Sequence, residues 1–437
     1  MAGRGWRACA RASGTLAALA AGTWLGIGDA RASGFALREG SADWMANAFA
    51  GNTAKAYDAS TAYNNPAGMV RLDQNELDAS VNGIFPSIHF TGTNRVGPAL
   101  TPGTTDGNLI EPAATAGTFG VWSYSPDLKF GFGATAPFGQ RVDNPTDFVG
   151  RYQSLVSSIT DISFQLSAAY RVTDRFSIGG GPVIDYFNTR LTQAQNIGVN
   201  ALTGDPVGNA YGDDVGIGFD IGAMYQIDEG TRAGINYRSR ISHRVSGSQY
   251  VYVPPLLAIG SPATAALLSR LDSSANADVT LPDNVSVGLY HDITPRWAVM
   301  SDLQWTHWSL LKEITVVPTS GAPTTNLPQN WQSTWFVSIG TNYRVLENLM
   351  LQTGFSYDQS PVRDLYRTTR VPDSDRYNLG VGLTWSVLPN VNLQAAYLHT
   401  FFASAPINSS ASPSAGVIQG KYSVDANSVS LGATVKF

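Results

Sequence analysis

Cysteine is nearly missing: Cys9 is the only one among 437 residues. It precedes an apolar run and is badly placed for a lipid anchor. A disulfide framework and thiol catalysis are therefore both excluded. Charge is sparse too, at 14% of residues, with a formal net of −5. An acidic chain does not favour nucleic acid. Long apolar runs are also missing. Beyond the first thirty or so residues, nothing approaches the ~20 apolar residues of a helical membrane span. The five histidines, His89, His243, His291, His307 and His399, are scattered. None forms an i,i+4 pair or an H-x-x-x-H ligand spacing, so neither a metal site nor a cofactor is expected. His291, His307 and His399 share parity with large apolar neighbours and read as members of interfacial belts. No G-x-S-x-G occurs, and the chain does not read as an enzyme.

What is present begins with a leader. Arg4, Arg7 and Arg11 form a basic start, residues 15–27 a small apolar run, and Ala30-Arg31-Ala32 a small-x-small cleavage pattern. These are the parts of a secretory signal peptide. The organisation expected is residues 1–32 as signal, 33–73 as an N-terminal hatch and 74–437 as a barrel. Removing a leader with four arginines and one aspartate leaves the remainder more acidic still.

Period-two alternation dominates the rest. Tyr377, Leu379, Val381, Leu383, Trp385 and Val387 alternate with Asn378, Gly380, Gly382, Thr384 and Ser386. Successive side chains of a strand point to opposite faces. One face is greasy and the other small and polar, as expected for lipid outside and lumen inside. Val429 to Phe437 repeats the pattern and ends the chain on an aromatic. That ending resembles the assembly signal of outer-membrane barrels, which implies the barrel-assembly machinery as a partner of Phe437.

Six short turns recur at 125–128, 172–175, 228–231, 293–296, 345–348 and 388–390, each with Asp, Asn, Pro or Gly. Seven longer polar segments separate them, at about 93–111, 140–152, 195–212, 253–277, 319–331, 359–376 and 404–420. Short turns on one side and long loops on the other are the layout of an outer-membrane barrel. The fold expected is all-β: a 14-stranded antiparallel transmembrane β-barrel in the bacterial outer membrane, touching lipid and lipopolysaccharide, and monomeric. Residues 33–73 lack clean alternation. They are either a periplasmic leader or a plug, and a barrel this wide needs a plug.

Several residues are candidates for function. Pro137 interrupts the strand that begins at 128, because proline has no N–H for the ladder. It either ends that strand at the rim or, with Ala136 and Gly139, kinks it and opens the wall. Loop 253–277 carries Ser261-Pro262, an N-cap pattern followed by apolar residues at helical spacing. Its Leu256, Leu257, Leu267 and Leu271 read as a ligand-binding surface, a lid, or both. Arg238 and Arg240 share parity with Gly234 and Asn236 and should face the lumen. Asp358 and Arg376 should also point inward, as a lumen ion pair.

Five pieces together resemble the FadL/TodX family of outer-membrane transporters for hydrophobic compounds. They are the start Ser33-Gly34-Phe35, Asn64 to Met69 around Asn65-Pro66-Ala67, Phe130 to Gln140, Leu281 to Ser309, and Asp358-Gln359-Ser360-Pro361-Val362 with Pro372 to Arg376. The resemblance spans nearly the whole mature chain. It implies facilitated diffusion of a long-chain fatty acid or related compound, captured by outer loops and passed to an internal pocket near Phe35 and Phe138. It also implies gating by the hatch motif at Asn65 and Pro66, with lateral exit at the kinked third strand. The chain departs from the family where basic residues are expected. Asn188 and Gln332 stand there, and Arg190 faces the lumen only if a bulge at Gly179 to Pro182 reverses its parity. Uptake of uncharged aromatic hydrocarbons is the alternative cargo. An outer-membrane lipase or protease and a purely structural or adhesive barrel are the alternatives from other classes.

Overall fold

The computed structural model describes residues 34–105, 108–198, 204–412 and 414–437. The expected signal peptide, residues 1–32, and Ser33 lie outside them. Fourteen antiparallel strands form one barrel. In chain order they are Glu76–Val96, Ala113–Ser123, Leu128–Asp143, Val156–Thr173, Phe176–Ala194, Val207–Gln226, Thr231–Arg238 continued by Ile241–Tyr252, Ser273–Leu281 continued by Asn284–Thr294, Trp297–Thr306, Thr334–Leu346, Leu349–Asp358, Arg376–Leu388, Val391–Phe402 and Gly416–Lys436. Each pairs with the next, and the first pairs with the fourteenth from Glu76↔Lys436 to Arg95↔Val417. That pairing closes the sheet and removes its edges.

The alternation works as the composition requires. Tyr377, Leu379, Val381 and Trp385 are all more than 40% exposed, whereas Arg376 and Asn378, of the opposite parity, are each 4% exposed. Apolar side chains outside and polar ones inside invert the soluble arrangement and suit a lipid surround. All six expected turns connect strands at one end, and the long connections lie at the other. Several strands run further outward than the polar segments suggested, because Val96, Asp143 and Gly416 are still paired. The seventh connection carries two short helices, Pro255–Gly260 and Pro262–Ser269.

The lumen is filled from Gly34 to Leu72. This hatch contains the helices Ala42–Ala46 and Thr61–Asn64 and a 3-10 turn, Pro66–Arg71. Nearly all its residues are buried. Its rear portion meets the lower wall through polar contacts. Asn47 Nδ2 donates to Asn342 Oδ1 at 2.7 Å, Arg232 Nε to the Ala54 carbonyl at 2.7 Å, and Lys129 Nζ to the Leu72 carbonyl at 3.0 Å. Lys55 is ion-paired with Asp43, both side chains 3% exposed. Gln352 Nε2 also donates to Asp43, at 2.8 Å. Buried polar groups need such partners, and the lumen-facing side chains supply them.

Candidate functional site

The third strand is bent at Ala136-Pro137. Its register with the fourth strand slips by one residue between Thr135 and Phe138, which is a β-bulge. The strand continues to Asp143, so Pro137 does not end it. On the other side, rungs with the second strand stop at Thr118↔Ala134. Residues Ala113 to Gly117 then pair only with the first strand. A seam without ladder bonds therefore separates Ala113–Gly117 from the bent segment.

The front of the hatch lies along this seam. Leu37 N donates to the Pro137 carbonyl at 2.7 Å, and Gly139 N to the Phe35 carbonyl at 2.8 Å. Ala36 and Phe138 thus face each other as a single antiparallel bridge. Leu37 packs with Ile84, Ala113 and Ala136. Thr115 Oγ1 donates to the Glu39 carbonyl at 2.7 Å. The hatch satisfies backbone groups that the interrupted ladder leaves open.

Phe35 is 1% exposed. Its ring meets Trp308 edge-on at 4.9 Å, Trp331 at 5.4 Å and Phe138 at 5.9 Å. Gly34 enters this cluster with φ +65°, and an added Cβ would stand 2.7 Å from the Trp331 ring. Gly34 N donates to Asp373 Oδ2 at 2.9 Å. Asp373 also accepts from Ser360 Oγ at 2.6 Å and from Arg376. The acidic motif at 358–376 is the anchor of the hatch's leading end.

Beside Phe35 opens a narrow, largely apolar cleft. Ile159, Phe187, Val245, Val279, Leu311 and Val371 are among its walls. Its one charged lining residue is Arg370, from the loop between the eleventh and twelfth strands. Arg370 is 6% exposed. Nη2 donates to Gln193 Oε1 at 2.6 Å, whereas Nη1 has no hydrogen-bond partner. Burial pulls its guanidinium down to about 10, which still leaves it protonated at neutral pH. Among the described residues no carboxylate pairs with it. A second, more open cleft continues outward, with Leu191, Val316, Leu327 and Arg370 among the residues it shares with the first. Arg370 stands where the two meet.

Several expected residues are placed elsewhere. Arg190 is exposed, on the outer face, and donates to Asn209 Oδ1 at 3.0 Å. No bulge reverses it, since the fifth strand keeps one register with the sixth from Phe176 to Ala194. Arg238 does face the lumen, where it holds Asp220 at 3.4 Å, Gln165 Oε1 at 2.6 Å and the hatch carbonyl of Tyr63 at 2.9 Å, with Nη1 left unpartnered. Unlike Arg370 it already has a carboxylate and lines neither cleft. Arg240 does not follow it. A one-residue register shift against the sixth strand, between Asp213↔Ser246 and Asp220↔Arg238, changes the parity, and Arg240 is an exposed partner of Asp283 at 3.3 Å.

Asp358 and Arg376 are ladder neighbours but not an ion pair. Asp358 binds Arg38 of the hatch at 3.0 Å, and Arg376 takes Asp373. Each found a nearer partner on a segment that strand parity says nothing about. Asn65 and Pro66 lie at the rear of the hatch, away from the bend. Asn65 Nδ2 donates to the carbonyls of Thr53 at 2.8 Å and Ala223 at 3.2 Å, and its Oδ1 caps the 3-10 turn. Of the four loop leucines, Leu271 lines the outer cleft and Leu257 is buried, whereas Leu256 and Leu267 are each 62% exposed.

Arg370, Trp331, Arg38 and Asp373 were not singled out as site residues from the sequence. All four lie in long connections or the hatch, where no periodicity marks a facing direction.

Comparison with known proteins places this geometry in context. Residues 24–437 match the family described as outer membrane protein transport protein (OMPP1/FadL/TodX). A 47 kDa outer membrane protein of Pasteurella multocida is 28% identical, covering 85% of this chain and 88% of its own length. A long-chain fatty acid transport protein of Salmonella typhi is 25% identical, covering 88% and 92%. Among solved structures, a Pseudomonas aeruginosa FadL homologue superposes with a TM-score of 0.86 at 22% identity, over 92% of this chain and all of its own. The Pseudomonas putida toluene transporter TodX does so at 0.67 and 16% identity, over 93% and all of its own.

Proposed function

Because this chain belongs to the family of outer membrane protein transport proteins (OMPP1/FadL/TodX), a family of channels for hydrophobic compounds in the outer membrane, we propose that its cargo is a long-chain fatty acid or a close amphiphilic relative. The observation that carries this is Arg370: a buried, protonated, half-unpaired guanidinium on an otherwise uncharged cleft. A buried charge without a counter-charge is costly, and an incoming carboxylate supplies one while the chain lies along Phe187, Val245 and Val279. The carboxylate partner is thus offered by a loop rather than by Arg190, Arg238 or Arg240.

The route follows from the same geometry. Cargo enters the outer cleft past Leu271, passes Arg370 and displaces Phe35 from its aromatic seat. Withdrawal of Phe35 to Leu37 uncouples the hatch from Pro137 and Gly139 and opens the seam toward lipid. A lateral exit spares the cargo an aqueous passage, which costs ~25 cal/mol per Å² of apolar surface. No energy source acts in this scheme. In this scheme the barrel works as a monomer, against lipid and lipopolysaccharide. Phe437, 55% exposed, stays available to the assembly machinery.

The test is Arg370→Gln with two ligands of equal length, a fatty acid and the matching alkane. A charge-assisted hydrogen bond is worth ~1.5–3 kcal/mol. The fatty acid should therefore bind roughly tenfold or more weakly, with the alkane unchanged. Equal loss for both, or none for either, would reject the carboxylate partner and favour an uncharged hydrocarbon.

A further inference from the structure

We propose that the lumen holds a divalent transition-metal ion, bound by Asp161, Asp185 and His243 directly beneath the floor of the apolar cleft. The three residues come from the fourth, fifth and seventh strands. One ligand atom from each lies within 4.8 Å of the others. Donors on a tetrahedral zinc with bonds of ~2.1 Å stand about 3.4 Å apart, so modest side-chain rotation closes the set.

The polar accounting requires a partner here. Asp161 is 0% exposed, Asp185 3% and His243 1%. Neither oxygen of Asp161 has a hydrogen-bond partner, nor has Asp185 Oδ1. Neither carboxylate is within ion-pair distance of a cation among the described residues; the nearby Arg238 acts on both from further off but is paired directly with Asp220. Two ionised buried carboxylates facing one another are destabilising unless a cation lies between them or they share a proton, and a divalent cation neutralises both.

His243 is prepared as a ligand. Its Nδ1 is 3.3 Å from Asp214 Oδ2, while Nε2 is buried without a partner. A carboxylate on one ring nitrogen fixes the tautomer and turns the lone pair of the other toward a metal. Two carboxylates and one imidazole suit zinc and its neighbours in the first transition row. Calcium prefers six to eight oxygens, which this set does not offer.

The position gives the ion a consequence. Ile159, Phe187 and Val245 line the cleft. Asp161, Asp185 and His243 sit two residues below them on the same strands and share their inward face. The His243 ring stacks on Phe187 at 5.0 Å. A bound ion would tie three strands together under the cleft and hold Phe187 against the cargo. Sequence spacing gives no hint of it, because each ligand comes from a different strand.

The experiment uses the mature barrel in detergent, stripped with chelator and dialysed against micromolar Zn²⁺, with bound metal counted by mass spectrometry. Folded wild-type protein should retain about one ion per chain. Asp161→Asn and His243→Gln should lose it, Asp214→Asn should bind roughly 10–100-fold more weakly, and the turn variant Asp228→Asn should bind as wild type. Heat-modifiable gel mobility checks that each barrel is closed. If a ligand variant does not fold, X-ray absorption of the wild-type zinc decides: nitrogen and oxygen donors with one imidazole support the site, and other sets overturn it. Metal-free folded wild type would overturn it, as would equal retention by Asp161→Asn. A shared proton in place of the ion would show as that first result, with Asp161→Asn at least as stable as wild type. No outcome depends on transport, so failure here leaves the proposed function standing.

Discussion

The two ends of the hatch are held by different physics. The rear, from Asp43 to Leu72, is fastened to the lower wall by buried polar contacts, among them Gln352–Asp43, Asn47–Asn342 and Arg232 on two hatch carbonyls, and is braced internally by the Lys55–Asp43 pair. The front, Gly34 to Leu37, is held by two backbone hydrogen bonds to a bent strand, one aspartate and an aromatic seat. Polar networks are specific and costly to break one member at a time. Apolar seating is non-directional, and an apolar cargo can substitute for it. The difference suggests a plug whose rear stays while its front exchanges places with cargo.

The largest effect should come from the rear. Lys55→Ala leaves Asp43 buried without its cation, a loss of ~3–5 kcal/mol for a broken buried pair. The rear of the hatch should become protease-sensitive in a barrel that is still closed. An unchanged digestion pattern would show that the rear does not depend on this pair. A smaller effect is expected at the front. Gly34→Val places a β-branched residue at φ +65°, against Trp331. A left-handed conformation costs a non-glycine residue ~1–2 kcal/mol, before the contact with the ring. Phe35 should leave its seat more often, raising uptake and single-channel conductance several-fold without unseating the rear. Conductance equal to wild type would mean that the front does not gate.

The smallest effect belongs to the outer loop. Leu256 and Leu267 are exposed and line neither cleft. Leu256→Ser and Leu267→Ser should change stability by less than ~0.5 kcal/mol and leave capture unaltered. Leu271→Ser should weaken capture. Equal behaviour of all three in a fatty-acid capture assay would erase the distinction between loop surface and cleft.

What could be read from the sequence divides along similar lines. Strand count, turn positions and facing directions were legible because alternation and turn chemistry are local properties of the chain. Tyr377 to Trp385 needs no distant partner to declare its lipid face. The facing of Arg240 was not legible, because one inserted residue inverts parity and leaves no compositional mark. The ion pair expected of Asp358 and Arg376 failed for another reason. Arg38 and Asp373 arrive from segments remote in sequence, and parity gives orientation without naming partners. Arg370 sits in a loop, where even orientation has no periodic sign. Pro137 was legible as an interruption, but its partner was not: the hatch segment beside it, around Ala36, lies about a hundred residues earlier.

The central claim is that the front of the hatch must leave the bent strand before cargo can exit. Ala36 and Phe138 oppose each other as a non-hydrogen-bonded pair, a geometry whose Cα atoms stand ~4.5 Å apart and which a disulfide can span. Apart from Cys9 the chain has no cysteine to interfere. In the double variant Ala36→Cys, Phe138→Cys, fatty-acid uptake should fall to background when the pair is oxidised and recover on reduction, with the reduced form as reference. Uptake that continues undiminished with the bridge closed would contradict the account.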